Sequence, residues 1–283
     1  MEKPVDLHIH TTASDGADTP AQVVALASAL GLGAIAVTDH DTVSGIGEAV
    51  AAGAGLGVAV IPGIELSADY RGREVHLLGL FIDRGSAALR SALDWSVRQR
   101  LARNDRMVAA LAADGFDIPP EALGALCPGA VPGRPHLAEY LLRRGYVASI
   151  QEAFDRYLGE GRPYFRPRKL LPLREAVRAI RAAGGVAVIA HPLQYGYDEA
   201  RLRRFLREGK DLGCQALEVY YPEHTPAQQA MLTALADELG LALSGGSDYH
   251  GARKPDVALG SGIRGNLRVP YSVLAGLQSL QAP

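Results

Sequence analysis

Two cysteines in 283 residues leave no room for a disulfide framework. Cys127 and Cys214 lie 87 positions apart, without the paired spacing of a zinc ribbon, so two core thiols in a reducing compartment are expected. An excess of either charge is also missing. The 29 basic and 31 acidic side chains give a net charge of −2, which disfavours a protein that coats duplex DNA. No apolar run approaches the roughly 18 residues of a membrane span. The N-terminus leads straight into polar, histidine-bearing sequence without the apolar stretch of a secretion signal. A cytoplasmic protein with no membrane association and no obligate protein partner is expected. Absent too are a P-loop, a nucleophile elbow, low-complexity tracts and any repeat of fixed period.

What is present is a 48% hydrophobic fraction, enough for one large domain or a core with an inserted subdomain. Seven short runs read as strands covered on both faces: Val5–His10, Ala34–Thr38, Val58–Ile61, Val75–Phe81, Val186–Ala190, Ala216–Tyr220 and Leu241–Ser244. Helix-like segments separate them, which predicts an α/β architecture. The first such segment has Thr19 as N-cap, Pro20 in the first turn and Gly31 as its stop. Between Glu65 and Val75 the link is too short for a helix, and Arg71-Gly72 predicts a hairpin. From residue 84 to 170 the strand pattern gives way to helical stretches, Ser86–Ala113 and Arg134–Arg144 among them. We read this as an inserted helical cap, with residues 1–83 and 171–283 forming the barrel. The cap has 14 basic and 9 acidic residues, net +5; the remainder has 15 and 22, net −7. A basic cap over an acidic barrel suits an anionic substrate held above cations.

The eight histidines are not scattered. His8 and His10, two apart on a strand, face the same way and can reach one ion. Asp15 follows in the loop, His40 ends the second run, Glu65 lies just past the third, and His76 is on the fourth. His191 follows the fifth run, and Asp248 and His250 follow the seventh. Each is at the end or edge of a predicted strand, and strand ends of a barrel share a rim. Six imidazoles and three carboxylates exceed one tetrahedral zinc and suit two or three Mn²⁺, Fe²⁺ or Zn²⁺ ions.

The segments Asp6-Leu7-His8-Ile9-His10, Thr38-Asp39-His40-Asp41, Gly63-Ile64-Glu65, His76, Ala190-His191-Pro192 and Gly246-Ser247-Asp248-Tyr249-His250 resemble, in order, the polymerase and histidinol phosphatase (PHP) superfamily. The resemblance implies a distorted seven-stranded (β/α)7 barrel with an inserted helical subdomain, and up to three divalent metals, Mn²⁺ foremost. By motif, His8, His10, Glu65 and Asp248 would hold one ion. Glu65 would bridge to a second, held with His76 and His191, and Asp15, His40 and His250 would bind a third. Relatives commonly carry histidine at the position of Asp15, which implies a weaker third site. The inserted region is most similar to that of 3′,5′-nucleoside bisphosphatases and RNA 5′-end-trimming exonucleases. The implied reaction is removal of the 3′-phosphate from a nucleoside 3′,5′-bisphosphate, with related trimming of short RNA 5′ ends. The attacking group would be a metal-bridging hydroxide held by Glu65 with His191 and Asp248. Other readings are a phosphatase for another small ester, such as histidinol phosphate, and a non-catalytic metal-binding module.

Substrate contacts are expected from Arg134 and His136 in Gly133-Arg134-Pro135-His136, from Arg162, and from His224 after the sixth strand. Arg166, Arg168 and Lys169 read as solvated charges. Asp39 and Asp41 flank His40 and are expected to orient imidazoles.

Overall fold

Short apolar runs separated by capped helices set the first part of the chain: β1 (Val5–Ile9), α1 (Pro20–Ala29), β2 (Ala34–Val37), α2 (Ile46–Leu56) and β3 (Ala59–Tyr70). In the computed structural model, which describes residues 2–119, 121–127 and 131–281, α1 begins as anticipated. Thr19 accepts from the Gln22 backbone N–H, Pro20 starts the helix, and Gly31 leaves it at φ 72°. β1, β2 and the start of β3 pair in parallel. The expected hairpin follows: Arg71 and Gly72, both at positive φ, turn β3 into the antiparallel β4 (Arg73–Leu80). Glu65, however, lies inside a 12-residue strand rather than beyond a short one. Continuous pairing with β4 from Gly63 to Tyr70 extends the strand past it.

Next come α3 (Ala87–Ala113), α4 (Ala122–Leu126), α5 (Arg134–Arg143) and the single turn α6 (Ile150–Ala153). α3 is a strut between two cores. Its first half buries Leu89 and Leu93 in the barrel core, while Met107 and Leu111 join a separate apolar cluster with Leu137, Leu141 and Leu158. The chain re-enters the barrel through β5 (Leu171–Pro172), which pairs with β3, then α7 (Leu173–Ala182), β6 (Val186–Ile189), α8 (Glu199–Leu212), β7 (Ala216–Tyr220), α9 (Pro226–Leu239) and β8 (Ala242–Gly245). A two-residue pair, β9 (Val257–Ala258) and β10 (Gly262–Ile263), and α10 (Tyr271–Gln278) complete it.

The main sheet runs β1-β2-β3-β4-β6-β7-β8 and curls into the distorted barrel that the sequence implies. β4 is antiparallel to both neighbours, so its first residues share a rim with the last residues of the parallel strands. Between β8 and β1 the closure is made at that rim by the segment after β8: the Asp248 N–H donates to the His8 carbonyl (2.8 Å) and the His10 N–H to the Tyr249 carbonyl (2.9 Å). Both cysteines are buried and free, and burial pushes the Cys214 thiol up to about 12. Among the described residues no helix is long and apolar enough to cross a membrane.

Candidate metal centre

Glu65 is the hub. Its buried carboxylate lies close to ring nitrogens of five histidines from four segments: His8 (3.3 Å), His10 (3.1 Å), His40 (3.2 Å), His76 (2.8 Å) and His191 (3.1 Å). Asp248 Oδ1 stands 3.5 Å from His8 Nε2 and 3.2 Å from His10 Nε2. Asp15 Oδ1 reaches His10 Nδ1 (3.7 Å) and His250 Nε2 (3.5 Å). All nine residues expected at the centre therefore converge, although they span His8 to His250 in sequence.

The donor atoms close enough to share an ion fall into three groups: His8, His10 and Glu65; His40, Glu65 and His76; His10, Asp15, His40 and His250. His10 and His40 each belong to two groups, so the partition is more interleaved than the motifs imply. Among the described residues, eleven buried side-chain polar atoms have no hydrogen-bond partner, and eight belong to His8, His10, Asp15, His40, Glu65, His76 and His191. Unsatisfied buried polar atoms are scarce in folded proteins because each costs about 1–3 kcal/mol. Their concentration in one nitrogen–oxygen cluster without thiolates fits divalent cations. Backbone strain also gathers here: His191 (φ 25°), Asp248 (φ 55°) and Asp41 (φ 53°) occupy the left-handed region that non-glycine residues avoid.

Electrostatics follow from this packing. Burial raises the Glu65 carboxyl, but His40, His76 and His8 hold it well below the usual carboxylate range. Burial opposes protonation of His10 and His76, yet the adjacent carboxylates raise them to about 9 and about 10. His40 goes the other way, to about 3, because burial and the neighbouring imidazoles outweigh Glu65 and Asp15.

A second layer of side chains fixes the cluster. Glu218, fully buried in β7, accepts from His8 Nδ1 through one oxygen (2.9 Å) and from the His191 backbone N–H through the other (2.7 Å). The sequence reading missed it, although a lone carboxylate in the apolar run Ala216–Tyr220 has to find a buried donor. Asp248 Oδ2 accepts from Tyr221 Oη (2.9 Å) and Lys254 Nζ (2.6 Å), which leaves Oδ1 to the histidines. Asp39 grips the His10–Asp15 loop through Thr11 and Ser14 rather than an imidazole, and Asp41 pairs with Arg100 and Arg168. Both were expected to orient imidazoles; Asp39 instead holds a loop and Asp41 two arginines.

The centre opens into a cavity of about 390 Å³ that is also lined by Arg100, Arg103, Arg134 and Arg168, with Arg253 and Lys254. Of the substrate contacts expected, only Arg134 lines it. His136 is buried in the first turn of α5, where its Nδ1 accepts from the Gly133 N–H (2.9 Å), and burial beside Arg253 lowers it to about 4. Arg162 is exposed on a turn whose N–H returns to the Gly159 carbonyl. His224 is buried against Tyr221 with Nδ1 on the Val219 carbonyl (2.9 Å). Arg168, expected to be solvated, is instead 6% exposed and bridges Asp41 (3.1 Å) and Glu74 (3.0 Å). Arg103 was not singled out by sequence. Its Nε donates to Asn104 (3.0 Å), one terminal nitrogen has no partner, and burial with Arg100 and Arg134 nearby lowers it to about 8.

Comparison with known proteins places this geometry. The PHP domain profile matches residues 6–118. A 5′-3′ exoribonuclease of Haemophilus influenzae is 36% identical, covering 88% of this chain and 91% of the relative. A 3′,5′-nucleoside bisphosphate phosphatase of Chromobacterium violaceum is 36% identical, covering 87% of each. A phosphoribosyl 1,2-cyclic phosphate 1,2-diphosphodiesterase of Eggerthella lenta is also 36% identical, over 87% of this chain and 94% of the relative. A solved structure from Bifidobacterium adolescentis, assigned as a metal-dependent phosphoesterase, superposes with a TM-score of 0.88 at 29% identity, covering 99% of this chain and 97% of the other.

Proposed function

Because the chain belongs to the PHP family of metal-dependent phosphoesterases, we propose that it removes the 3′-phosphate of nucleoside 3′,5′-bisphosphates and trims RNA from a phosphorylated 5′ end. The observation that carries this is a cavity with two unlike walls. One wall is the centre, through seven of its nine residues: Asp15, His40, Glu65, His76, His191, Asp248 and His250. On the other, four guanidiniums, Arg100, Arg103, Arg134 and Arg168, face only two carboxylates, Asp41 and Glu74. Among the described residues Arg103 and Arg134 have no carboxylate in ion-pair range. The surplus of two positive charges matches one phosphate monoester dianion. A substrate with two phosphoryl groups on one ribose satisfies both walls, and the nucleoside bisphosphate and phosphoribosyl cyclic phosphate named for two relatives share that feature.

In this reading His8, His10, Glu65 and Asp248 hold one ion, Glu65, His76 and His191 a second, and Asp15, His40 and His250 a third; Mn²⁺, Fe²⁺ or Zn²⁺ suits the donor set. Bound ions supply a lowered pKa for coordinated water and neutralise phosphoryl oxygens. The protein does the rest. Glu218 sets the His8 tautomer so that Nε2 faces inward, Tyr221 and Lys254 orient Asp248, and Arg103 and Arg134 hold the remote phosphate so that the 3′-phosphate meets the centre. Asp41 and Glu74 keep Arg100 and Arg168 in place while leaving the other two guanidiniums free.

Protein stripped and reloaded with Mn²⁺ should release phosphate from adenosine 3′,5′-bisphosphate to give AMP, and chelation should abolish turnover. The comparison panel is histidinol phosphate, AMP, phosphoribosyl 1,2-cyclic phosphate and 5′-phosphorylated RNA. Fully loaded protein that turns over none of the two-phosphate substrates would sink the proposal. His10→Ala should lose metal and activity together. Arg103→Ala should keep its metal and lose kcat/KM on the bisphosphate by about tenfold or more, as expected for a charged hydrogen bond of about 1.5–3 kcal/mol.

A further inference from the structure

A second hollow, of about 350 Å³, is lined in part by sequence neighbours of residues that line the cavity. Such pairs occur in two places. On β4, Glu74 lines the cavity and Arg73, pointing to the opposite face of the strand, lines the hollow; in the loop after β6, Gln194 lines the cavity and Tyr195 the hollow. Tyr195 is held in place: its hydroxyl accepts from the His76 N–H (2.8 Å) and donates to the Ala190 carbonyl (2.9 Å).

The hollow combines cations with an aromatic face. Arg71 is held by Glu208 (2.7 Å) and Arg201 lies 3.7 Å from Asp198, but among the described residues Arg73 and Arg204 have no carboxylate in ion-pair range. Tyr197 is half-buried and braced by three rings: Tyr195 at 5.9 Å, Phe205 at 5.7 Å and Tyr70 at 6.3 Å between centroids. A rigid tyrosine beside two free guanidiniums is the chemistry that takes a base by stacking and a phosphodiester by charge. The catalytic cavity, at about 390 Å³, is small for a ligand pocket, so the body of an RNA strand has to leave it.

We propose that this hollow holds the nucleotide immediately 3′ to the scissile phosphate of a single-stranded RNA, with its base on Tyr197 and its phosphodiester on Arg73 and Arg204. The inference rests on the exonuclease side of the proposed function. A bisphosphate ends at the centre, whereas RNA continues past the centre to the hollow, so the hollow separates the two substrates.

The test compares wild type, Tyr197→Ala, Tyr197→Phe and Arg73→Ala/Arg204→Ala, each Mn²⁺-loaded, on adenosine 3′,5′-bisphosphate and on a short 5′-phosphorylated oligoadenylate. Tyr197→Ala and the double arginine variant should each lose about tenfold in kcat/KM on the oligonucleotide, as loss of one stacked base predicts, and keep the bisphosphate value; Tyr197→Phe should match wild type on both. Unchanged oligonucleotide kinetics, or equal losses on both substrates, overturn the proposal, as does bisphosphate turnover without oligonucleotide cleavage, which leaves the bisphosphatase reading standing. If neither substrate turns over, the proposed function fails. Fluorescence anisotropy of the labelled oligoadenylate then decides the hollow separately: about tenfold weaker binding to the Ala variants supports it, and equal binding refutes it.

Discussion

Glu218 shows how one side chain can tie two parts of a centre together. Both of its oxygens are occupied, one by the His8 ring and one by the His191 backbone, and none of its surface meets solvent. In Glu218→Gln the amide nitrogen must face one of two N–H donors, so one contact is lost while volume is conserved. Partners of this kind typically account for 10–100-fold in metal affinity. We therefore expect Glu218→Gln to fold normally and to bind Mn²⁺ about 10–100-fold more weakly in chelator competition; wild-type affinity would show that Glu218 does not tune the ligands. The nine candidate ligands were legible because histidine and carboxylate recur where apolar runs end. Glu218 was not, because a single acid within an apolar run has no pattern to belong to. Nor could sequence tell which arginine of the Arg162–Arg168 stretch turns inward: that depends on Asp41, 127 positions from Arg168, and on Glu74.

At the scale of elements, the centre depends on how closely the segment after β8 approaches β1. Asp6 fastens the two by accepting from the Ser247 N–H (2.8 Å), the Ser247 hydroxyl (2.6 Å) and the Gly260 N–H (2.8 Å). Gly246 permits the approach, since a Cβ there would lie 2.3 Å from the His8 backbone nitrogen. Backbone cannot yield as a side-chain tip can, so Gly246→Ala should destabilise by about 1–3 kcal/mol or more and reduce metal uptake. Gly55, in α2, has open space around its Cβ position, and Gly55→Ala should instead stabilise by about 0.5–1 kcal/mol. Urea unfolding of the pair checks both signs; a neutral Gly246→Ala would mean the rim is not tightly packed. Strand positions and the hairpin turn could be read from local chemistry. The length of β3 could not, because it is set by pairing between segments, and that pairing carries Glu65 into the middle of a strand.

Over the whole molecule, the opposite charges of residues 84–170 and of the rest of the chain lie partly in pairs that join them: Arg100 and Arg168 with Asp41, Arg168 with Glu74, and Arg253 with Glu139 of α5. The centre has its own charge balance, and it couples to pH. In metal-free protein the carboxylates hold His8, His10 and His76 protonated above their usual range, His10 to about 9 and His76 to about 10. Ligation requires the neutral rings, so metal uptake near pH 7.5 must expel protons, and affinity should climb until pH passes about 9–10. The stability of the metal-free fold has the opposite slope. Raised histidines stabilise fully below the unfolded value of 6.5, and that contribution is lost as pH rises through about 9–10. The depressed Asp15, Glu65 and Asp248 stabilise above 3.8–4.5 and lose their contribution as pH falls. Because His40 and His136, lowered to about 3 and about 4, cost stability as pH falls below 6.5, the metal-free protein should be most stable near pH 6.5, and the gap in Tm between loaded and chelated protein should widen from pH 6.5 to 9. Calorimetric Mn²⁺ titrations at pH 7.5 in buffers of different ionisation enthalpy should give buffer-dependent heats that report one to three protons released, the upper figure corresponding to His8, His10 and His76. Heats independent of buffer, with Tm gaps that do not change with pH, would show that these rings are already neutral before metal arrives.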